Sequence, residues 1–510
     1  MITAFWNKAK ENIPALFETV VKPKGYIKTI ENSDVGFGIG TESVAAPAEE
    51  LFTGDSFTLD FGDHYTGKLQ FSISRVDRFL DAPVRLRFQF AEVPMELTKD
   101  ASSYHGLLAA SWLQDETVTY EGEGTFELPR RYSFRYCKIT VVSTSQKIRL
   151  SDYLLKAYSA ADYANLEPLT RVTDPALQEI DRISAKTLSE CMQSVYEDGP
   201  KRDHRLWSGD MYLQALTDFY LFKNYALVRR CLYLFAACFE EGKYLPGCLF
   251  HEPELYFDQG MGIADYAFLF SATVCEYFEQ TQDLQTAQEL YPIVKSQMEL
   301  TVANLDKNGI ITLLEGWNGF VDWVPNIQRV TAIHGVFLFA LEKCIALAVA
   351  LGDQNTADRW LGVLENGRIA ARKHLYDGEK EAFINDYDAF QYSVHAQAWM
   401  VLGGVLRNEE AQKVLRKAVT SKDSLKPVTP FMHHHLVEAM FQSGLGEEAV
   451  EYIKTYWGGM VKLGCDTFWE VYVPENLEVS PYKDKLINSF CHAWSCSPAY
   501  FIRKYLEPMP

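Results

Sequence analysis

The chain has 510 residues, 47% hydrophobic and 23% charged, a globular mix that excludes a disordered or fibrous protein. Its 49 basic side chains against 68 carboxylates leave a net charge of −19, which argues against nucleic acid and against an anionic membrane surface as partners. A neutral small molecule is the guest that such a surface repels least.

The first residues carry Lys8 and Lys10 where an export signal needs an apolar run, so a cytoplasmic location is expected. The longest helical-looking stretch without formal charge, residues 389–406, holds Gln391, His395 and Gln397 and reads as a buried helix, not a membrane span. Ten cysteines run from Cys137 to Cys496 without a CxxC pair, as expected of reduced, buried thiols and not of a metal centre. Neither metal nor cofactor is expected.

Up to about residue 165 the hydrophobic period is two. Residues 56–61, 68–73, 84–90 and 136–142 alternate apolar and polar, as strands do with one face on a core. Gly62, Gly67, Gly122 and Gly124 mark expected turns. The reading is an antiparallel β-sandwich over residues 1–165, a supporting domain and a candidate contact for a homodimer.

From Thr173 the period becomes helical, and Thr173-Asp174-Pro175 makes a capped start. The pattern predicts about twelve helices over residues 166–510, at 175–194, 209–223, 225–241, 261–281, 284–304, 331–351, 353–375, 390–406, 408–420, 430–444, 446–458 and 484–506. Turns after the even-numbered helices are tight. Connections after the first, third, fifth, seventh and eleventh are long, at about 195–208, 242–260, 305–330, 376–389 and 459–483. Successive antiparallel helices alternate direction, so all of these long connections lie at one end. Paired helices with a plain end and an elaborated end describe an (α/α)6 toroid, and the elaborated end is where a site belongs.

Those connections share one chemistry. The first holds Glu197, Asp198, Arg202, Asp203, Trp207 and Asp210, the third Trp317, Asp322 and Trp323, and the last Asp466, Trp469 and Glu470. Each alone reads as a solvated loop or as core tryptophans. Together they pair carboxylates with flat apolar rings, the equipment for holding a sugar and hydrolysing its glycosidic bond with two carboxyl groups. The triplet His433–His435 is a poor metal site, because consecutive helical residues point about 100° apart. One of the three is expected near the mouth.

The motifs resemble those of glycoside hydrolase family 78, the inverting α-L-rhamnosidases, in a short two-domain form. Asp198-Gly199-Pro200-Lys201-Arg202-Asp203-His204-Arg205-Leu206-Trp207-Ser208-Gly209-Asp210 is similar to the family's Asp-Cys-Pro-x-Arg-Glu-x-x-x-Trp-x-Gly-Asp. Val321-Asp322-Trp323 resembles its Gly-Asp-Trp, Asp466 to Glu470 its Thr-Thr-x-Trp-Glu, and Cys491-His492-Ala493 its Asn-His-Tyr. Phe61-Gly62-Asp63 and Phe134-Arg135-Tyr136 resemble its sandwich. The resemblance implies Glu470 as general base and Asp203 as general acid. It implies Asp198, Arg202, Asp210, Asp322 and His492 as hydroxyl ligands, and Trp207 with Trp323 as pocket walls. It also implies a small glycoside as substrate. The sequence departs from the family where Asp203 replaces a glutamate, and where Gly199 and Ala493 stand for Cys and Tyr. Another glycosidase on the same toroid, or a sugar-binding member without turnover, are the readings those departures leave open.

Overall fold

The computed structural model describes residues 2–77, 79–257, 262–387 and 389–507. The expected start of the fourth helix at residue 261 and the end of the second long connection lie outside these residues. The N-terminal strands are hydrogen-bonded into one antiparallel network of nine, in the order Phe17–Val21, Ile148–Ser159, Ser56–Arg75, Tyr132–Ser143, Val84–Ala91 and Asp115–Tyr120, with three further strands alongside. The alternating side chains Leu59, Phe61, Leu69, Phe71, Leu86, Phe88, Phe134 and Ile139 fill one core.

Two of the expected turns are absent. Gly62 and Gly67 lie inside a single 20-residue strand, Ser56–Arg75. Gly62, at φ +81°, serves instead the register shift between Asp60 and Tyr65. The strand bends there and pairs onward with Ile148–Ser159.

The helical domain is a double ring. Ser208–Tyr220, Ala264–Thr281, Val330–Ala350, Val394–Leu402, Pro430–Gln442 and the closing segment Pro498–Leu506 contact one another in succession as an inner ring. Pro175–Cys191, Tyr225–Ala237, Leu284–Ala303, Gln354–Leu375, Asn408–Thr420 and Gly446–Lys462 lie outside it. Inner helices are buried almost all round, whereas Asn408–Thr420 buries only the stripe Ala411, Val414, Leu415 and Ala418. Val330–Ala350, the one described helix long and apolar enough to cross a membrane, is an inner helix and mostly buried.

Three expectations are corrected. The eighth helix begins only at Val394, because Ala389–Ser393 pairs as a strand with Ala382–Asp386. The twelfth is not a helix over 484–506. Its first half is a loop with single turns at Lys485–Ile487 and Ala493–Ser495, and helical structure starts at Pro498. Ile2–Glu11, read with the sandwich, is a helix on the toroid. Phe5 stacks on Tyr233, and Arg230 donates to the Ala9 carbonyl at 2.6 Å.

The two domains are joined through charged pairs. The Arg135 guanidinium lies between Asp60 of its own sheet and Asp466 of the toroid, at 2.9 Å from each. Arg131 donates to both oxygens of Glu197 at 2.7 Å. Glu92 accepts from the Phe490 amide at 2.6 Å, and Lys201 bonds Glu96 and the carbonyls of Leu486 and Asn488. The sheet therefore grips the 198–203 and 486–490 segments, which carry the site.

Candidate active site

The first long connection is tightly wound before helix Ser208–Tyr220. Asp203 and His204 both take positive φ, +68° and +51°, an uncommon backbone for non-glycine residues and one that concentrates at functional sites. The His204 Nε2 donates to the Pro200 carbonyl at 2.7 Å and closes this loop. Helix packing then sets the next ligand. A Cβ on Gly209 would stand 2.3 Å from the Tyr266 ring, so glycine lets Tyr266 approach and its hydroxyl donate to Asp210 at 3.2 Å.

Arg202 organises the centre. Its Nε donates to the Ile487 carbonyl at 2.8 Å, its Nη1 reaches Asp203 at 3.2 Å, and its Nη2 holds both oxygens of Glu470, one of them at 2.5 Å. The two candidate carboxyls thus flank one guanidinium. Glu470 also accepts from the Tyr482 hydroxyl at 2.6 Å and the Ser489 amide at 3.0 Å. Burial works against its ionisation, but the Arg202 guanidinium, with the Ser489 amide, outweighs it and brings its pKa to about 2.

The other members of the site have the opposite bias. Burial, with the carboxyl groups of Asp203 and Asp210 beside it, raises Asp198 well above the carboxylate range. Burial pushes Asp210 up to about 8 and His492 down to about 3, so at neutral pH both are uncharged. The His492 Nδ1 lies 4.0 Å from Asp210 with no hydrogen-bond partner among the described residues, a free polar atom in a buried position. Trp323, 39% exposed, meets Tyr482 edge-on at 6.0 Å, while Trp207 meets Tyr266 at 6.3 Å. Neutral hydrogen-bonding groups, one ion-paired base and exposed indole faces suit a polyol with apolar C–H faces.

The family models decide the assignment. The glycosyl hydrolase family 78 alpha-rhamnosidase N-terminal domain matches residues 23–157, and the bacterial alpha-L-rhamnosidase 6 hairpin glycosidase domain matches residues 170–506. The chain belongs to glycoside hydrolase family 78. A rhamnosidase from Klebsiella oxytoca, solved with rhamnose bound, is 35% identical; the match covers 99% of this chain and 98% of that one, with a TM-score of 0.95. The family 78 rhamnosidase of Bacillus sp. GL1 shares the fold at 23% identity and TM-score 0.74, over 91% of this chain but 49% of that longer one. No curated protein matches in sequence.

Within this family 78 chain the expected residues are brought together, with one exception in kind. Asp322 is fully buried, and both its oxygens are taken. Oδ1 accepts from the Trp323 amide and from the amide and hydroxyl of Thr429, and Oδ2 accepts from His395 and the Val428 amide. It ties three connections together, and its neighbour Trp323 is the exposed member of the pair. The histidine triplet is buried in three directions. His433 stacks on Tyr456 at 3.6 Å, His434 on Phe501 at 5.0 Å, and His435 lies 4.2 Å from Trp399.

Sequence reasoning missed Tyr482, Ser489 and Trp494, whose indole donates to the Glu470 carbonyl at 3.0 Å. Ser489 and Trp494 lie in a segment that reads as a helix by spacing, which hid them, and Tyr482 lies at the end of the last long connection. Gly199, where the family has Cys, leaves room for the Ser489 hydroxyl, which would lie 2.7 Å from a Cβ there.

Proposed function

We propose that the protein is an inverting α-L-rhamnosidase that removes terminal rhamnose from small glycosides. The observation that carries this reading is Arg202 held between Asp203 and Glu470, with exposed Trp323 beside the pair. Inversion uses two carboxyls set about 6.5–9.5 Å apart, with a water activated between the second one and the sugar. Glu470, kept ionised by Arg202, takes a proton from that water while its oxygen attacks the anomeric carbon. Asp203 gives its proton to the glycosidic oxygen as the C–O bond breaks. The leaving alcohol departs, the sugar is released with inverted configuration, and solvent exchange returns the proton from Glu470 to Asp203. Asp198, Arg202, Asp210 and His492 hold the hydroxyls, and Trp207 with Trp323 wall the ring.

Asp203→Asn and Glu470→Gln should each lower kcat on 4-nitrophenyl α-L-rhamnoside by about 10²–10⁴-fold while the melting temperature stays near that of the parent. Proton NMR of the first-formed sugar should show the β-anomer. Near-full activity in either variant removes that residue from its role. Tight rhamnose binding without turnover in the parent protein would favour a non-catalytic member.

A further inference from the structure

The Glu470 carboxylate is held at three points. Arg202 meets both of its oxygens, but through one nitrogen, Nη2. A single point of attachment fixes distance and charge and lets the carboxylate plane turn about it. Two further donors brace the plane, the Tyr482 hydroxyl on Oε1 at 2.6 Å and the Ser489 amide on Oε2 at 3.0 Å. Tyr482 does more than donate. Its ring packs on the Arg202 guanidinium at 4.4 Å and meets the exposed Trp323 edge-on at 6.0 Å. One side chain therefore touches the base and the base's counter-charge.

The sheet domain sets where Tyr482 stands. The Tyr482 carbonyl accepts from the Leu107 amide at 2.8 Å. Two residues on, the Asp484 carboxylate accepts from the His105 amide at 3.2 Å and from the Leu486 amide at 3.0 Å. The sheet-domain turn that offers these amides is closed on itself, because the Tyr104 hydroxyl donates to the Leu108 carbonyl at 2.9 Å. A Cβ on Gly106 would stand 2.3 Å from that hydroxyl, so glycine admits the closure. Leu107 is 61% exposed, and its contribution lies in the backbone amide. On the toroid side the Tyr482 amide donates to the Ser480 hydroxyl at 3.2 Å, which in turn donates to Asn488 at 2.7 Å. Lys483 takes φ +68°, a backbone that persists where its surroundings hold it.

We infer that Tyr482 is a positioning residue for the general base: its hydroxyl fixes the plane of the Glu470 carboxylate toward the attacking water, and the Leu107 amide of the sheet domain sets the place of that hydroxyl. This rests on the rhamnosidase reading above. A small turn of the carboxylate spoils the alignment of the water with the anomeric carbon, and a loss of alignment falls on the chemical step. The charge of the base stays with Arg202, so the hydroxyl governs orientation.

Tyr482→Phe keeps the ring on Arg202 and removes the hydroxyl. On 4-nitrophenyl α-L-rhamnoside it should lower kcat by about ten-fold or more, the worth of a hydrogen bond to a charged group, with KM within about two-fold of the parent's. The loss should be the same from about pH 5 to about pH 8, because Arg202 still holds Glu470 ionised. Leu107→Pro, which removes the amide donor, should lower kcat several-fold more than Leu107→Ala, which keeps it. Combined with Tyr482→Phe, Leu107→Pro should add little, since both changes act through one hydroxyl. Melting temperatures establish that each variant is folded when its rate is read. A kcat of Tyr482→Phe near the parent's, a loss confined to KM, or a loss that grows toward acid pH would overturn the inference and leave the rhamnosidase reading standing. Losses that multiply in the double variant would overturn the link to the sheet domain. A parent protein that cleaves no rhamnoside would remove both readings.

Discussion

Arg202 and Glu470 show why the same residue types behave differently in one pocket. A carboxylate buried with a bidentate guanidinium stays ionised, whereas Asp210, buried with only a tyrosine hydroxyl, takes a proton. The base is therefore charged throughout the working range, and no acid limb above about pH 4 should belong to it. The alkaline limb of kcat/KM should fall near pH 8, where Asp210 ionises. Asp210→Asn mimics the neutral form and should flatten that limb; an unchanged pH profile would assign it elsewhere. Stability follows the same sign. The folded state holds a proton on Asp210 up to about pH 8 that the unfolded chain releases near pH 4, so this group's contribution is lost as pH rises across that window. Arg202→Met leaves Glu470 buried without its counter-charge and should destabilise the fold by about 3–5 kcal/mol, read by urea unfolding.

Among the elements, the connections carry more than the helices they join. Asp322 receives bonds from residues 323, 395, 428 and 429, so three connections of the toroid meet on one carboxylate. Asp322→Ala strands three amides, the Thr429 hydroxyl and a histidine, and by about 1–3 kcal/mol for each unsatisfied group the melting temperature should drop by many degrees. Asp322→Asn, which keeps the acceptor oxygen, should recover part of it. A variant that loses rhamnose affinity without losing stability would instead make Asp322 a sugar ligand. The segment after Gly446–Lys462 teaches the complementary lesson. Leu486, Phe490, Cys491 and Trp494 are spaced as a helix face, yet each is buried because the loop runs between sheet and toroid and is covered from both sides. Periodicity records which side chains are buried, not what buries them.

Over the whole molecule, the sheet is part of the catalytic machinery's support. Glu92 and Glu96 hold the Phe490 amide and Lys201, while Arg135 ties Asp60 to Asp466, four residues before Glu470. The Ile2–Glu11 helix reaches past the sheet to pack on Tyr225–Ala237. Residues 166–510 expressed alone should show no cooperative unfolding and no rhamnosidase activity, and the full chain should unfold in one calorimetric transition. An active, independently folding toroid would contradict this account of the interface.

Much of this architecture is legible in the amino-acid sequence itself. The change of period from two to 3.6 divides the chain, because a half-buried strand and a half-buried helix impose different spacings on apolar residues. Alternating short and long connections identify the end of the toroid that carries the site, since direction alternates with each antiparallel helix. The types of side chain in those connections announce a sugar site. Only the tertiary structure decided which of these residues bond to one another and which keep a polar atom free. Asp322 and His492 look alike as motif residues, yet one has every acceptor occupied and the other keeps a free nitrogen. Whether Arg202 meets Glu470, 268 positions away, depends on distances across the fold. Local sequence carries no record of them, because burial and charge pairing are properties of neighbours that the chain brings together only when it closes.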